Sequence, residues 1–466
     1  RGISLCLDFV MNHTSEDHEW AQKARVNEPG YRDRYFFYDS WDVPRKFEET
    51  VPQVFPTTAP GSFTQLENGS IVMTNFYPYQ WDLNYANPVV FNDMTENLLY
   101  LANRGLDVIR LDAVPYIWKQ LGTDCRNLPQ VHTLVRMMRM VCEIVCPSVL
   151  LLGEVVMEPV KVVPYFGTTE KPECHMLYNV TTMATTWHTL ATGDVSLLRR
   201  QMEAVCSLPK EFTFLNYLRC HDDIGWGLDY PWLGSCFGQQ EVPHKKYLND
   251  YFTGKWPGSP SRGELYNDDP RLGDARLCGT TASLCGVEAA VYEQDPFQLE
   301  RAVSCDLTLH AWMLSQSGIP VIYSGDEVGQ LNDYTYHDDP DKRDDSRYIH
   351  RGNFQWELAE LRTDGSTRQG KQFQGLRRLE QLRAQEPCFD SRADVWVEDS
   401  GSNHVLALCR KLEDRELICL FNFSGEFVHA GVQRDGCWSE LMYGVHHDQI
   451  RDVELYPYGF AWLVRE

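Results

Sequence analysis

The sequence has little positive charge. Lysine and arginine total 43 residues against 66 aspartates and glutamates, which gives a formal net charge of −23. A surface of this sign repels the phosphates of nucleic acids and of anionic lipids. We therefore predict that neither nucleic acid nor a membrane surface is a partner.

Long hydrophobic runs and metal-type cysteine spacings are also missing. No apolar stretch approaches the ~20 residues of a membrane span. The 15 cysteines are an odd number, scattered without the tight pairs of a zinc site or a disulfide scaffold. We predict no metal and a reducing, cytoplasmic location. The chain begins with Arg1, so we expect a piece of a longer protein, and a secretion signal in the preceding segment stays an alternative.

The chain does contain apolar, strand-like runs that alternate with helical stretches. Alternation of this kind predicts an α/β fold with a parallel sheet. The runs cover residues 3–10, 106–111, 149–153, 174–179, 213–219 and 319–323.

Charged side chains stand where these runs end. Arg110 and Asp112 close one strand and share a face, because alternate side chains of a strand point the same way. Glu154 ends the next run, and Asp222 follows a later one. Catalytic residues at the carboxyl ends of parallel strands are typical of a (β/α)8 TIM barrel. Such a barrel has eight strands, so the six runs are expected to be strands 3 to 8, with the first two preceding Arg1.

Two long connections and a change of pattern suggest further domains. We predict a catalytic barrel over residues 1–387, with inserted domains at 12–86 after barrel strand 3 and at 224–286 after strand 7. From residue 388 to 466 the strand-like runs are separated by turns rather than helices. That pattern predicts a C-terminal antiparallel β-sandwich domain.

One glutamate and two aspartates at successive strand ends fit the cleavage of a glycosidic bond. That reaction needs a nucleophile or base, a general acid and groups that orient the sugar. A single aspartate after a strand is more often a turn or helix cap. Three carboxylates in this order make the catalytic interpretation the stronger one.

These strand ends resemble the signature regions of the alpha-amylase family of glycoside hydrolases. Any one region is a weak signal, but five occur in the family's order. They are Asp8-Phe-Val-Met-Asn12-His13-Thr, Gly105-Leu-Asp-Val-Ile-Arg110-Leu-Asp112, Gly153-Glu154, Arg219-Cys-His221-Asp222-Asp223 and Gly318-Ile-Pro-Val-Ile-Tyr-Ser-Gly-Asp-Glu327.

Within that family the chain resembles the amylosucrase subfamily over essentially its whole length. The stretches that carry this resemblance are 76–84, 117–129, 221–226, 325–332 and 344–347. It implies a glucosyltransferase that cleaves sucrose by a retaining mechanism and passes glucose to an α-1,4-glucan, without a cofactor. Alternatives are a sucrose hydrolase, a non-catalytic carbohydrate-binding relative and an inactive fragment. The oligomeric state, monomer or homodimer, stays open.

The resemblance implies roles for individual residues. Asp112 corresponds to the nucleophile, Glu154 to the general acid/base and Asp222 to the third carboxylate. Arg110 should keep Asp112 ionised, because a neighbouring cation lowers the pKa of a carboxylate. Desolvation should raise the pKa of Glu154.

Further residues correspond to the family's sugar-binding groups. The implied substrate-binding residues are His13, Phe76, His221, Asp223, Arg276 and Arg347. Asn12 resembles a calcium ligand of many α-amylases, but amylosucrases generally lack that ion, so none is predicted. In the family Arg347 pairs with an aspartate from a segment that this sequence does not contain, so we expect Arg347 to lack its counter-ion.

The acceptor side departs from the subfamily's pattern. Most amylosucrases carry an arginine in the inserted domain where this chain has Pro52, three residues before Phe55. Lys245 stands where arginine is usual, and lysine keeps the charge but loses the planar donor fork. We expect altered acceptor handling at Pro52, Phe55 and Lys245, with sucrose cleavage retained.

Overall fold

The computed structural model describes residues 2–157, 159–271 and 273–466, without the side chains of residues 159 and 160. The chain divides into two compact units, one ending at Tyr178 and the other spanning Asn179–Glu466. The predicted domain bounds, which separate 1–387 from 388–466, describe a different division and stay predictions.

The first unit contains nine strands and five α-helices among its described residues. In chain order these are β1 Cys6–Val10, β2 His13–Ser15, α1 Glu19–Arg25, β3 Phe37–Tyr38, α2 Asp42–Glu48, β4 Phe63–Gln65, β5 Ile71–Met73, β6 Gln80–Asp82, α3 Pro88–Asn103, β7 Val108–Asp112, α4 Pro129–Val145, β8 Leu150–Gly153, α5 Pro159–Val162 and β9 Met176–Tyr178.

Strands β1, β7, β8 and β9 form parallel pairs in that order, which confirms four of the predicted strand runs. The register places Asp8 beside Arg110 and Val10 beside Asp112. Leu111 pairs with Gly153, one residue before Glu154. The parallel arrangement therefore brings the ends of β1, β7 and β8 to one edge of this unit.

Local sequence explains how the chain enters β7. Helix α3 begins after Asn87, whose side chain accepts a hydrogen bond from the backbone N–H of Val89, and Pro88 fits the first helical turn. Gly105, with φ of +89°, turns the chain after the helix in a conformation that favours glycine. Strand β7 then runs nearly buried to Asp112.

The region between β1 and α3 folds around small antiparallel sheets. Strands β3, β5 and β4 form one of them, and β2 pairs with β6. Phe47, Val51, Ile71 and Met73 pack into a core that also buries Cys125 from the loop after β7. The loop that carries Cys125 is thereby fixed to this region.

The second unit begins with helices and ends with strands. Its elements are α6 Val180–Thr192, α7 Ser196–Cys206, β10 Thr213–Tyr217, α8 Tyr230–Phe237, α9 Glu241–Phe252, β11 Glu264–Tyr266, β12 Arg276–Cys278, α10 Thr281–Leu284, α11 Val287–Glu293, α12 Pro296–Ser315, β13 Ile319–Val321, α13 Trp356–Ala359, α14 Arg368–Gln385, β14 Asp394–Glu398, β15 Val405–Leu412, β16 Arg415–Asn422, β17 Val428–Ala430, β18 Trp438–Glu440, β19 His446–His447, β20 Val453–Leu455 and β21 Phe460–Arg465.

Two kinds of sheet occur in this unit. Strands β10 and β13 pair in parallel, as the remaining two strand runs predict. The C-terminal strands form an antiparallel sheet in the order β14-β15-β16-β21-β18-β19, and β17 pairs with β20. Antiparallel strands after residue 388 are confirmed, and closure of an eight-stranded barrel stays a prediction.

The C-terminal sheet encloses a fully apolar core. Val405, Ile418, Trp438 and Leu463 have no exposed surface and belong to one cluster. None of the helices in the described parts of the chain combines the length and apolar character that a bilayer crossing requires. The fifteen cysteines are all free.

Candidate active site

Arg110 is the centre of the carboxylate cluster in the first unit. Its Nη1 lies 2.6 Å from Asp112 Oδ1 and 2.7 Å from Asp8 Oδ1. Its Nη2 lies 3.0 Å from Glu154 Oε1, and its Nε donates to Tyr178 Oη at 3.2 Å. One guanidinium thus contacts three carboxylates from three neighbouring strands, with Asp8 in the middle of β1, Asp112 at the end of β7 and Glu154 directly after β8.

Arg110 keeps its charge in a buried position. Only 7% of the residue is exposed. Burial acts to lower the pKa of the guanidinium, but the charges of Glu154 and Asp112, with smaller effects of Tyr178 and Asp8, raise it well above its usual range. The guanidinium therefore keeps its charge among the carboxylates that it contacts.

Glu154 has a second contact. Its Oε2 accepts a hydrogen bond of 2.9 Å from the backbone N–H of Ala113, the residue that follows Asp112. Ala113 has φ of 50° and ψ of 35°, a left-handed conformation that is costly for alanine. The turn after Asp112 therefore positions Glu154 beside it, with one carboxylate oxygen on Arg110 and the other on the backbone.

His13 and Phe76 lie side by side in the same unit. Their ring centroids are 5.2 Å apart, and Phe76 also contacts Tyr116 at 5.1 Å. Burial lowers the pKa of His13, while the charges of Asp82 and Asp112 act to raise it. A neutral imidazole beside a half-buried aromatic ring can accept and donate hydrogen bonds to sugar hydroxyls.

The residues around Asn12 do not fit a calcium ion, because a lysine ammonium already lies among their oxygens. Lys119 Nζ is 2.7 Å from Asp82 Oδ2 and 2.7 Å from Asn12 Oδ1, and it also donates to the Tyr116 carbonyl. A carboxylate, an amide oxygen and a backbone carbonyl are the ligands that Ca²⁺ uses. Here one internal cation contacts all three, and the side chains of Lys119 and Asp82 have no exposed surface.

The second unit carries the His221-Asp222-Asp223 segment. Asp222 Oδ1 is 3.4 Å from Arg351 Nη2, and Asp222 Oδ2 is 3.1 Å from His221 Nε2. The carbonyl of His221 accepts a 2.6 Å hydrogen bond from Arg351 Nε and a longer one from His350 Nε2. Arg351 therefore fixes both the backbone and the carboxylate of this segment.

The expectation that Arg347 lacks a counter-ion is wrong. Its Nε and Nη2 donate to the two carboxylate oxygens of Asp345 at 2.8 and 2.7 Å, and its Nη1 is 3.8 Å from Asp222 Oδ1. Asp345 is two residues earlier in a short turn, so a local partner replaces the distant one that the family resemblance suggested.

Asp223 and Arg276 form a pair of their own. Arg276 Nη1 lies 3.4 Å from Asp223 Oδ1, whose side chain is 8% exposed. Burial raises the pKa of Asp223, Arg276 opposes the rise, and Asp222 adds to it. Each of the two consecutive carboxylates thus has an arginine beside it, Arg351 for Asp222 and Arg276 for Asp223.

The three acceptor-side residues have different surroundings. Pro52 is exposed, and its carbonyl accepts a hydrogen bond of 3.0 Å from Arg126 Nη2. Phe55 is buried, and its ring centroid is 6.3 Å from that of Phe76. In the second unit Lys245 pairs with Glu241 at 2.9 Å and Asp274 at 3.4 Å.

Sequence reasoning missed several groups that contact the predicted site residues. Asp8 was detectable, since it opens a signature region and stands in register with Arg110. Lys119 and Arg351 had no local signal, because their partners lie far away in sequence or are backbone carbonyls. The segment Cys220-His221-Asp222 brings three metal-type donor atoms within 4.8 Å of one another, but two of them already contact each other.

Comparison with known proteins agrees with this arrangement of strand ends. Residues 1–249, more than half of the chain, match the family model described as alpha amylase, catalytic domain. The chain belongs to the alpha-amylase family. The parallel strand pairs that carry Asp112 and Glu154 lie within the matched region of this family.

Relatives of this chain include a glucosylglycerate phosphorylase and a trehalose synthase. A glucosylglycerate phosphorylase from Allomeiothermus silvanus is 29% identical over 468 residues, with 99% of this chain and 77% of the relative covered. A trehalose synthase from Pimelobacter sp. is 30% identical over 338 residues, which is 71% of this chain and 52% of the relative.

A solved structure supports the fold. The sucrose 6F-phosphate phosphorylase from Thermoanaerobacter thermosaccharolyticum superimposes with a TM-score of 0.69 at 18% identity, covering 96% of this chain and 82% of that one. At this identity the similarity shows the fold alone. The alpha-amylase family of glycosyl-acting enzymes is thus established, and amylosucrase specificity remains a proposal.

Proposed function

We propose that this protein is a retaining glucosyltransferase that cleaves sucrose and transfers the glucosyl unit to an α-1,4-glucan, releasing fructose. The observation that carries the proposal is the contact of Asp112 and Glu154 with the two terminal nitrogens of Arg110. Retaining enzymes hold their two carboxyl groups roughly 5–5.5 Å apart. A shared guanidinium supports a separation of that kind.

The two carboxylates have distinct parts in the proposed reaction. Asp112 attacks the anomeric carbon, and the bond from that carbon to the fructosyl oxygen breaks. Glu154 gives its proton to the departing oxygen, so that fructose leaves neutral and a glucosyl ester remains on Asp112. Glu154 then takes the proton of an acceptor hydroxyl, whose oxygen attacks the same carbon and frees Asp112.

The neighbouring groups orient and stabilise. Arg110 favours the anionic form of Asp112, the form that attacks. By the family resemblance, His13 and Phe76 are proposed to bind the glucosyl ring, and His221 and Asp222 its hydroxyls. Asp223, Arg276 and Arg347 are proposed to contact the fructosyl or acceptor sugar. Side chains and water suffice for this chemistry, so no cofactor is proposed.

A second candidate differs in the acceptor and allows a second donor. Relatives that align over nearly the whole chain are named glucosylglycerate phosphorylases. By that similarity, inorganic phosphate would attack the glucosyl ester in place of a glucan hydroxyl and yield glucose 1-phosphate. The donor would then be sucrose or a glucoside of glycerate. Both candidates share Asp112 and Glu154.

The deciding experiment is incubation with sucrose, alone and with phosphate or glucan, with quantification of fructose, glucose, glucan and glucose 1-phosphate. Fructose in excess of glucose with glucan formed supports the transferase. Equal glucose and fructose under all conditions would indicate a hydrolase, and glucose 1-phosphate a phosphorylase. The Asp112→Asn variant is the blank. An absence of fructose in every arm would contradict sucrose cleavage and favour a non-catalytic relative or an inactive fragment.

A further inference from the structure

Arg126, in the loop that follows β7, has no role in the proposed chemistry. Its Nη2 donates to the carbonyl of Pro52 at 3.0 Å, and its guanidinium carbon lies 5.1 Å from the ring centroid of Tyr116. Stacking on an aromatic face and one backbone hydrogen bond hold the side chain in place.

The charge of Arg126 is not neutralised within the described parts of the chain. Its guanidinium pairs with no carboxylate there, although the protein carries 66 acidic residues. Asp124 accepts a hydrogen bond from the backbone N–H of Arg126, not from its guanidinium. Most of the five N–H donors of the side chain therefore stay available to a ligand.

The backbone on both sides of Arg126 is strained. Cys125 has φ of 54° and Asn127 has φ of 53°, both left-handed conformations in residues other than glycine. Such a conformation is unfavourable for cysteine and better tolerated by asparagine, and it persists where the surroundings fix it. Here the thiol of Cys125 is buried in the core of the inserted region, and Asn127 Oδ1 accepts from Tyr165 Oη at 2.7 Å.

A line of ring contacts connects Arg126 to the candidate sugar site. Arg126 stacks on Tyr116, Tyr116 contacts Phe76, and Phe76 contacts His13. Tyr116 itself ends the short helical turn that begins two residues after Asp112. Arg126 is therefore linked through the ring of Tyr116 to the groups proposed to hold the glucosyl ring.

Arg126 also supplies the positive charge and the N–H donors that are absent at position 52. The family resemblance places an arginine at Pro52, and this chain has a side chain without charge or N–H there. The guanidinium of Arg126 reaches the backbone of that same residue from another loop. A neutral sugar hydroxyl does not require a full charge, whereas hydrogen bonds from a cation to an oxyanion are about twice as strong as neutral ones.

We propose that Arg126 binds an oxyanion on the acceptor side of the site, either inorganic phosphate or the carboxylate of a small hydroxy acid. This inference rests on the proposed function, and to its second candidate it adds the residue that binds the anionic acceptor. The acceptor oxygen attacks the anomeric carbon, the bond from that carbon to Asp112 breaks and frees the carboxylate, and Glu154 takes the proton where the attacking group is a hydroxyl. Arg126 binds the anion and is not itself a catalytic residue.

The test compares the protein with its Arg126→Ala and Arg126→Lys variants, using sucrose as donor. Phosphate, glycerate and maltotriose serve as separate acceptors, and the products of each are quantified. Arg45→Ala, a change at an exposed arginine on α2, is the matched control. We expect Arg126→Ala to raise the KM for the anion roughly tenfold to hundredfold. Maltotriose transfer and fructose release in water should stay within about twofold.

The products distinguish phosphate from a carboxylate as the bound anion, and some outcomes would refute the proposal. Glucose 1-phosphate identifies phosphate as the anion, and glucosylglycerate identifies the carboxylate. If neither anion yields a product while maltotriose does, or if Arg126→Ala impairs maltotriose equally, the oxyanion role is wrong. Calorimetric titration of phosphate and glycerate into both proteins separates this test from the proposed function. Binding that disappears with Arg126 would support the inference even if sucrose were not cleaved, and absent binding without turnover would overturn it.

Discussion

Replacing Lys119 by alanine should strongly destabilise the first unit. The side chains of Lys119 and Asp82 are without exposed surface and 2.7 Å apart. Asp82 would keep its hydrogen bonds from Asn12 and from the backbone of Asn75 but lose its cation. Removal of one partner from a buried ion pair costs about 3–5 kcal/mol, because the other charge is left uncompensated.

That cost can be measured locally. Since every 1.4 kcal/mol is tenfold, the equilibrium for local opening should rise roughly 10²- to 10⁴-fold. Hydrogen exchange of peptides covering residues 71–85 and 114–120 reports this opening directly. Lys46→Ala, a change at an exposed lysine of the same unit, should leave exchange of these peptides unchanged.

Addition of Ca²⁺ gives a second and more specific test of the role of Lys119. Without the ammonium, Asp82, Asn12 and the Tyr116 carbonyl present the oxygen ligands that Ca²⁺ prefers. We expect millimolar Ca²⁺ to slow exchange in Lys119→Ala and to leave the unsubstituted protein unchanged. Slow exchange in Lys119→Ala without any ion, or stabilisation of the unsubstituted protein by Ca²⁺, would refute the view that Lys119 takes the place of a metal.

Three further results are expected. Glu154→Gln should lower sucrose turnover by about 10²–10⁴-fold, but should slow glucosylation by nitrophenyl α-glucoside far less, since that leaving group departs without a proton. Arg351→Lys should lower kcat/KM for sucrose by roughly tenfold to hundredfold, because it loses the fork that contacts Asp222 and the His221 carbonyl, whereas Arg392→Lys on the surface should not. Burial lowers the pKa of His188 to about 3, so below pH 6.5 the unfolded state binds a proton that the folded state does not. Stability then falls by about 1.4 kcal/mol per pH unit, and denaturant unfolding at pH 6.5, 5.5 and 4.5 should show a correspondingly smaller slope in His188→Asn.

Local sequence predicted the parts of the site that depend on strand geometry. The alternation of side chains placed Arg110 and Asp112 on one face, and the structure joins them at 2.6 Å. The runs that precede Glu154 and His221 are strands, as their apolar character predicted. These inferences needed only the two-residue period of a strand, a property of the sequence itself.

The contacts of those residues could not be predicted from strand periodicity. Arg347 has Asp345 as its partner, although the family comparison suggested a distant aspartate. Lys119 contacts oxygens of residues 12 and 82, and no residue near position 119 in the sequence predicts these contacts. Left-handed backbone at Ala113 and Cys125 is likewise unpredictable, because neither residue favours it intrinsically.

The sequence by itself determined the strand–helix alternation, the order of the carboxylates and hence the alpha-amylase family. Those features depend on local periodicity and on motif spacing. The tertiary structure alone decided which cations meet which carboxylates: Arg110 with three, Lys119 with Asp82, and Arg126 with none in the described chain. Electrostatic partners are chosen by distance in space and by burial, and neither is encoded at any single position of the chain.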